Sequence, residues 1–91
     1  MNEMTEILKE RGNRYGRFSG TAKIVQSIKT AMQEGRNWQR LSDDKKEALE
    51  MVAHKIARIL NGDQEYLDSW TDIVGYAQLV VDNLKEAQDE A

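Results

Sequence analysis

An all-α fold, a compact bundle of three to four helices, is what this sequence predicts, and three observations carry the prediction. Proline is absent, most of the six glycines fall between apolar stretches, and apolar residues recur at three-four spacing with no alternating run that reads as a strand. The 91 residues are read as a single helical domain, 1–91. A chain this short buries only about 60 to 65% of its unfolded surface, so self-association, a homo-oligomer, is expected to add to its stability.

Each element has its own signal. Asn2 to Glu10 reads as a short first helix with Met4, Ile7 and Leu8 as its apolar stripe. Gly12 to Gly20, with glycines every four residues and no apolar period, reads as an irregular Gly/Arg-rich connection anchored by Tyr15 and Phe18. Ser19 or Thr21 then caps a second helix to about Glu34, carrying Ala22, Ile24, Val25, Ile28, Ala31 and Met32 at helical spacing. Trp38 and Leu41 are expected to tuck into the core. Ser42 is a good N-cap, and Asp43 and Asp44 stand where the helix dipole favours negative charge. The third helix that starts there carries a broad apolar arc, from Leu49 through Ala53 and Ile56 to Leu60, and Asn61-Gly62 stops it. Asp68 or Ser69 caps a fourth helix to about Ala87, with Trp70, Ile73, Val74, Ala77, Val80, Val81 and Leu84 as its buried stripe. An acidic disordered tail is expected from about residue 88.

Composition excludes several functions. With no cysteine there is no disulfide and no thiolate chemistry, and His54, the single histidine, has no partner for a zinc site. It reads as a solvated residue on the polar edge of its helix. No apolar run approaches the roughly 20 residues of a membrane span, and the first 20 residues are charged throughout; a cytoplasmic, membrane-free protein is expected. Charge is divided: residues 1–40 hold eight basic and four acidic side chains, residues 41–91 five and twelve. An acidic chain is a poor wrapper of duplex nucleic acid, whose affinity is drawn from neutralised phosphates. A small anion bound at the basic front, or attraction between the two halves or two copies, fits the division better.

Two constellations carry chemistry. In Arg11-Gly12-Asn13-Arg14-Tyr15-Gly16-Arg17-Phe18, arginines alternate with small residues just before a helix N-terminus. Guanidinium forks match phosphate oxygens, and an aromatic ring can stack on a base. The alternative is a basic connection crossing an acidic surface. In the fourth helix Asp68, Asp72 and Tyr76 fall at i, i+4 and i+8 on one edge, opposite Lys55 and Arg58 of the third. Two carboxylates on one edge can hold a magnesium ion; an inter-helix ion-pair network is the plainer alternative. Gly75 inside that helix suggests close approach of a backbone or ligand. Glu47 and Glu50 would complete a four-carboxylate metal site, as in all-α nucleoside triphosphate pyrophosphatases, but they project away from the apolar arc.

Glu10-Arg11-Gly12-x-x-Tyr15-Gly16, then residues 53–62 (Ala-His-Lys-Ile-Ala-Arg-Ile-Leu-Asn-Gly), then Asp68-Ser69-Trp70-x-Asp72-Ile73-x-Gly75-Tyr76-Ala77 together resemble a family of small phage and prophage proteins of unknown function. A related set is associated with nucleotide modification. The resemblance spans roughly residues 10 to 80 and implies shared positions at Arg11, Gly12, Tyr15, Gly16, Lys55, Arg58, Asp68, Asp72, Gly75 and Tyr76.

The sequence therefore predicts a phage-encoded accessory protein that binds a nucleotide or other phosphorylated small molecule. Its polar cleft would be formed by Arg11, Arg14, Tyr15, Lys55, Arg58, Asp68, Asp72 and Tyr76, with magnesium as the candidate cofactor. A helical module acting on a host or phage protein, and a magnesium-dependent pyrophosphatase, are the alternatives.

Overall fold

The computed structural model of the chain describes residues 2–90. Four α-helices run in order, α1 (Glu3–Tyr15), α2 (Phe18–Gln33), α3 (Asp43–Asn61) and α4 (Leu67–Glu90), with a 3₁₀ turn at Trp38–Arg40. No strand occurs among the described residues. The all-α class and the number of helices agree with the sequence.

Helix α1 is longer than its apolar stripe suggests. The Asn2 side chain accepts a hydrogen bond from the Thr5 amide at 2.9 Å, and Glu3 and Glu6 sit in the first turn, where the dipole favours them. Gly12 does not end the helix: its carbonyl accepts from the Gly16 amide at 2.9 Å, and a Glu10–Arg14 ion pair of 2.8 Å spans it. The expected irregular connection from Gly12 to Gly20 therefore shrinks to Gly16 and Arg17. Phe18, expected to anchor that connection, is instead 83% exposed. Helix α4 continues to Glu90, so residues 88–90 of the expected tail are helical; Gln, Asp and Glu follow Ala87 with no glycine or proline to stop them. Ala91 lies outside the described residues.

Helix α3 is the axis of the fold and touches all three other helices. Lys29 of α2 pairs with Glu50 at 3.6 Å, and Lys55 pairs with Asp72 of α4 at 3.1 Å. Asp44 at the start of α3 accepts from Asn83 late in α4, which with the Lys55–Asp72 pair fixes an antiparallel arrangement. The apolar residues that are fully buried are Val25, Ala48, Ala53 and Ala57. Alanine on α3 lets its neighbours approach closely, but it removes little surface from water, and only Val25 contributes the roughly 1.5 to 3 kcal/mol of a full-sized apolar side chain.

The corner between α1 and α2 is fixed from a distance. Gly16 has φ +78° and ψ −171°, a region open essentially to glycine alone, and a Cβ there would strike the Asn61 backbone carbonyl. A Cβ on Gly62 would strike the Arg14 carbonyl and the Tyr15 backbone. Asn61 Nδ2 donates to the Arg17 carbonyl and to Thr21 Oγ1, both at 3.1 Å, and Thr21 Oγ1 donates on to the Tyr15 carbonyl at 3.0 Å. Asn61-Gly62 is thus both the stop of α3 and the clamp on the α1–α2 corner.

The bundle is drawn out, 57 × 26 × 23 Å. Its radius of gyration is 15.9 Å, against about 12 Å for a globular chain of this length.

Candidate functional site

The clamped corner opens a groove on one side of α3. About 850 Å³ in volume, it is lined by α1, by the start of α2 and by His54 and Arg58 of α3. Its floor is Ala22 and Val25 and its rim carries Leu8 and Phe18. Arg11, Arg17 and Arg58 face it, and no carboxylate does. None of these three arginines forms an ion pair among the described residues.

Arg58 stands over the Tyr15 ring, its guanidinium carbon 4.4 Å from the centroid. A stacked guanidinium keeps its N–H edges free for a planar anion. Tyr15 is already committed, edge-on to Tyr66 with centroids 6.0 Å apart. The ring available for stacking is therefore Phe18. The pKa of His54 is lowered, first by burial, then by the positive charges of Lys29, Arg58 and Lys55, against a smaller opposing effect of Glu47.

The eight residues expected to share one cleft fall into separate places. Arg11, Tyr15 and Arg58 line the groove. Arg14, the residue before Tyr15, lies about 100° round α1 from it, where it donates to the Tyr66 hydroxyl at 2.7 Å and holds its guanidinium carbon 4.8 Å from the centroid of that ring. Tyr66 donates to Asp68 at 3.0 Å, which raises the Tyr66 pKa. The basic stretch thus meets the beginning of α4 through Arg14, Tyr66 and Asp68, not at Asp72. Lys55 and Asp72 form the inter-helix ion pair, with Lys55 buried and Asp72 about half exposed. Tyr76 is half-buried on the same edge of α4 as Asp72 and does not line the groove.

The acidic metal site does not assemble. Glu50 pairs with Lys29, Asp72 with Lys55, and no group of three His, Cys, Asp or Glu side chains is placed to hold a metal ion among the described residues. Gly75 has nothing within 4 Å of an added Cβ, so no backbone approaches there; the close approaches belong to Gly16 and Gly62.

Arg17, Phe18 and His54 line the groove but were not among the expected site residues, and His54, read from the sequence as a solvated residue on the polar edge of its helix, is half-buried there. Its register three residues before Ala57 and four before Arg58 was legible, but its neighbours across the groove come from α1 and α2 and were not. No family model matches the chain, nor does any curated protein or solved structure. Among the described residues no helix is long and apolar enough to cross a membrane.

Proposed function

We propose that this chain is a small binding protein whose groove takes a phosphorylated small molecule, with a nucleotide as the best-fitting class. One observation carries the reading: Arg11, Arg17 and Arg58 converge on a groove with no carboxylate in its lining. Like charges placed together without counter-ions are costly, and an anion relieves that cost. The apolar floor and the exposed Phe18 ring suit a ligand with a flat apolar part as well as a phosphate. The resemblance to phage proteins, carried partly by Arg11, Tyr15, Gly16 and Arg58, points to the same ligand class and is the sole support for a phage accessory role. A magnesium-dependent pyrophosphatase is not favoured, because Glu50 and Asp72 are held in separate ion pairs and its four carboxylates do not gather into one group among the described residues.

Thermal shift against nucleoside mono-, di- and triphosphates, cyclic nucleotides, adenosine and inorganic pyrophosphate, with and without magnesium, tests this. A nucleotide should raise the melting temperature where adenosine does not, less so at high salt. Arg17→Ala with Arg58→Ala should abolish the shift. If no phosphorylated compound moves the transition, the reading fails.

The interaction-module alternative has an observation of its own, an uncovered apolar face. It lies across α3 from the groove, so covering it would leave the groove open.

A further inference from the structure

Helix α4 carries two apolar faces where a helix packed on a single neighbour needs one. Ser69, Ile73, Tyr76 and Val80, on successive turns, lie against the rest of the fold. Leu67, Trp70, Val74, Ala77, Val81 and Leu84 form a second stripe at spacings of three, four, three, four and three, the 3.5-residue period of a helix that packs along another helix. Among the described residues it is left open to solvent, from Leu67 at 72% and Val74 at 66% exposed to Val81 at 40%. Trp70 Nε1 already donates to the Gln64 carbonyl at 2.8 Å, so burying its ring strands no polar atom.

Helix α3 extends this surface. Leu49, Ile56 and Leu60 lie within about 40° of one another on its wheel and about 180° from Arg58, and Leu60 is 68% exposed. Because α3 and α4 are antiparallel neighbours, the helical wheels put both stripes on one side of the pair. The result is an apolar surface two helices wide, and the α4 stripe spans about 25 Å at 1.5 Å per residue.

We propose that this face is an interface between two copies of the chain, closing α3 and α4 of each into a four-helix arrangement. The accessible surface, 7158 Å², exceeds by about a third the roughly 5,400 Å² of a compact monomer of 10.5 kDa. That surplus is about twice the ~800 Å² one partner contributes to a standard interface. A core of three alanines and one valine calls for a partner present whenever the chain is, and a second copy meets that condition. An uncharged apolar face is also complementary to itself about a two-fold axis.

Sedimentation velocity of the whole chain from about 1 to 200 μM, with melting temperature measured over the same range, tests the proposal. A dimer is expected, with a melting temperature that rises with concentration. Val74→Glu with Val81→Glu should abolish the dimer, whether the variant stays folded or not, and Arg11→Ala on the groove side should retain it. A wild-type monomer at 200 μM with a concentration-independent transition overturns the proposal. So does a dimer that survives the paired glutamates, or one that is lost instead on Met4→Glu with Ile7→Glu in α1. The groove's ligand plays no part in this outcome.

Discussion

The two sides of α3 solve opposite problems. On one, His54 and Arg58 face a groove that collects three arginines with no carboxylate; on the other, Leu49, Ile56 and Leu60 join the α4 stripe in a face with no cover. One side gathers charge that the fold does not neutralise, the other gathers apolar surface that the fold does not bury. The groove side is held rigidly by the Asn61-Gly62 clamp, whereas the apolar side rests on the Lys55–Asp72 pair and small buried residues. The lesson is that helices here act as a scaffold with two unfinished surfaces, each defined by what would complete it.

Damage to the clamp should separate the two sides most strongly. Gly16→Ala forces a Cβ into the Asn61 carbonyl at positive φ, and is expected to cost about 3 kcal/mol or more. Chemical denaturation measures it, and an unchanged midpoint would remove the clamp from the account. Asp72→Ala leaves the buried Lys55 ammonium without its partner; a loss of about 1 to 3 kcal/mol is expected, moderated because Asp72 is half in water. Asp72→Asn should recover part of it, and a variant as stable as wild type would mean that the pair contributes nothing. Gly75→Ala tests the far edge of α4, where nothing stands near: a gain of about 0.5 to 1 kcal/mol is expected from helix propensity. A destabilised Gly75→Ala would show that something approaches α4 there after all.

The smallest effect is in pH. Burial and the charges of Lys29, Arg58 and Lys55 lower the His54 pKa below the ordinary 6.5, with Glu47 opposing. The unfolded chain then binds its proton first, so the contribution of His54 to stability is complete above about pH 6.5 and is lost as pH falls from there through the folded value. His54→Gln should flatten that part of the stability profile. Protonation also adds a cation to the groove, so anion binding should strengthen on acidification, and a bound anion should raise the His54 pKa. A profile identical in His54→Gln would contradict this.

How much was legible in the sequence follows the same division. Helix α3 was readable because Ser42, Asp43 and the Asn61-Gly62 pair are local signals; α2 was placed to within a few residues by its apolar period, although its N-cap is Arg17 and the expected caps Ser19 and Thr21 lie inside it. Arg11 and Arg17 were readable as part of a basic stretch and Arg58 as part of the polar edge of α3, but their meeting in one groove was not. Gly12 misled, since a glycine that breaks a helix and one that merely weakens it look alike until Gly16 and the Glu10–Arg14 pair are placed around it. The clamp could not be read: Asn61 meets Gly16 and Thr21 across 40 or more residues of chain. Nor could the division of the α4 stripe. Seven apolar residues at helical spacing announce burial, but Ile73 and Val80 are half-buried within the chain while Trp70, Val74, Val81 and Leu84 stay exposed, and spacing alone does not say against what each would pack.

The most direct test of the groove is a two-dimensional ¹H–¹⁵N NMR titration of the labelled chain with a nucleoside triphosphate. Saturable shifts should appear at the amides of Gly12, Gly16, Arg17, Phe18 and Thr21, and at His54 and Arg58, while residues 74 to 84 stay still. Shifts confined to α4, or none at millimolar nucleotide, would contradict the account.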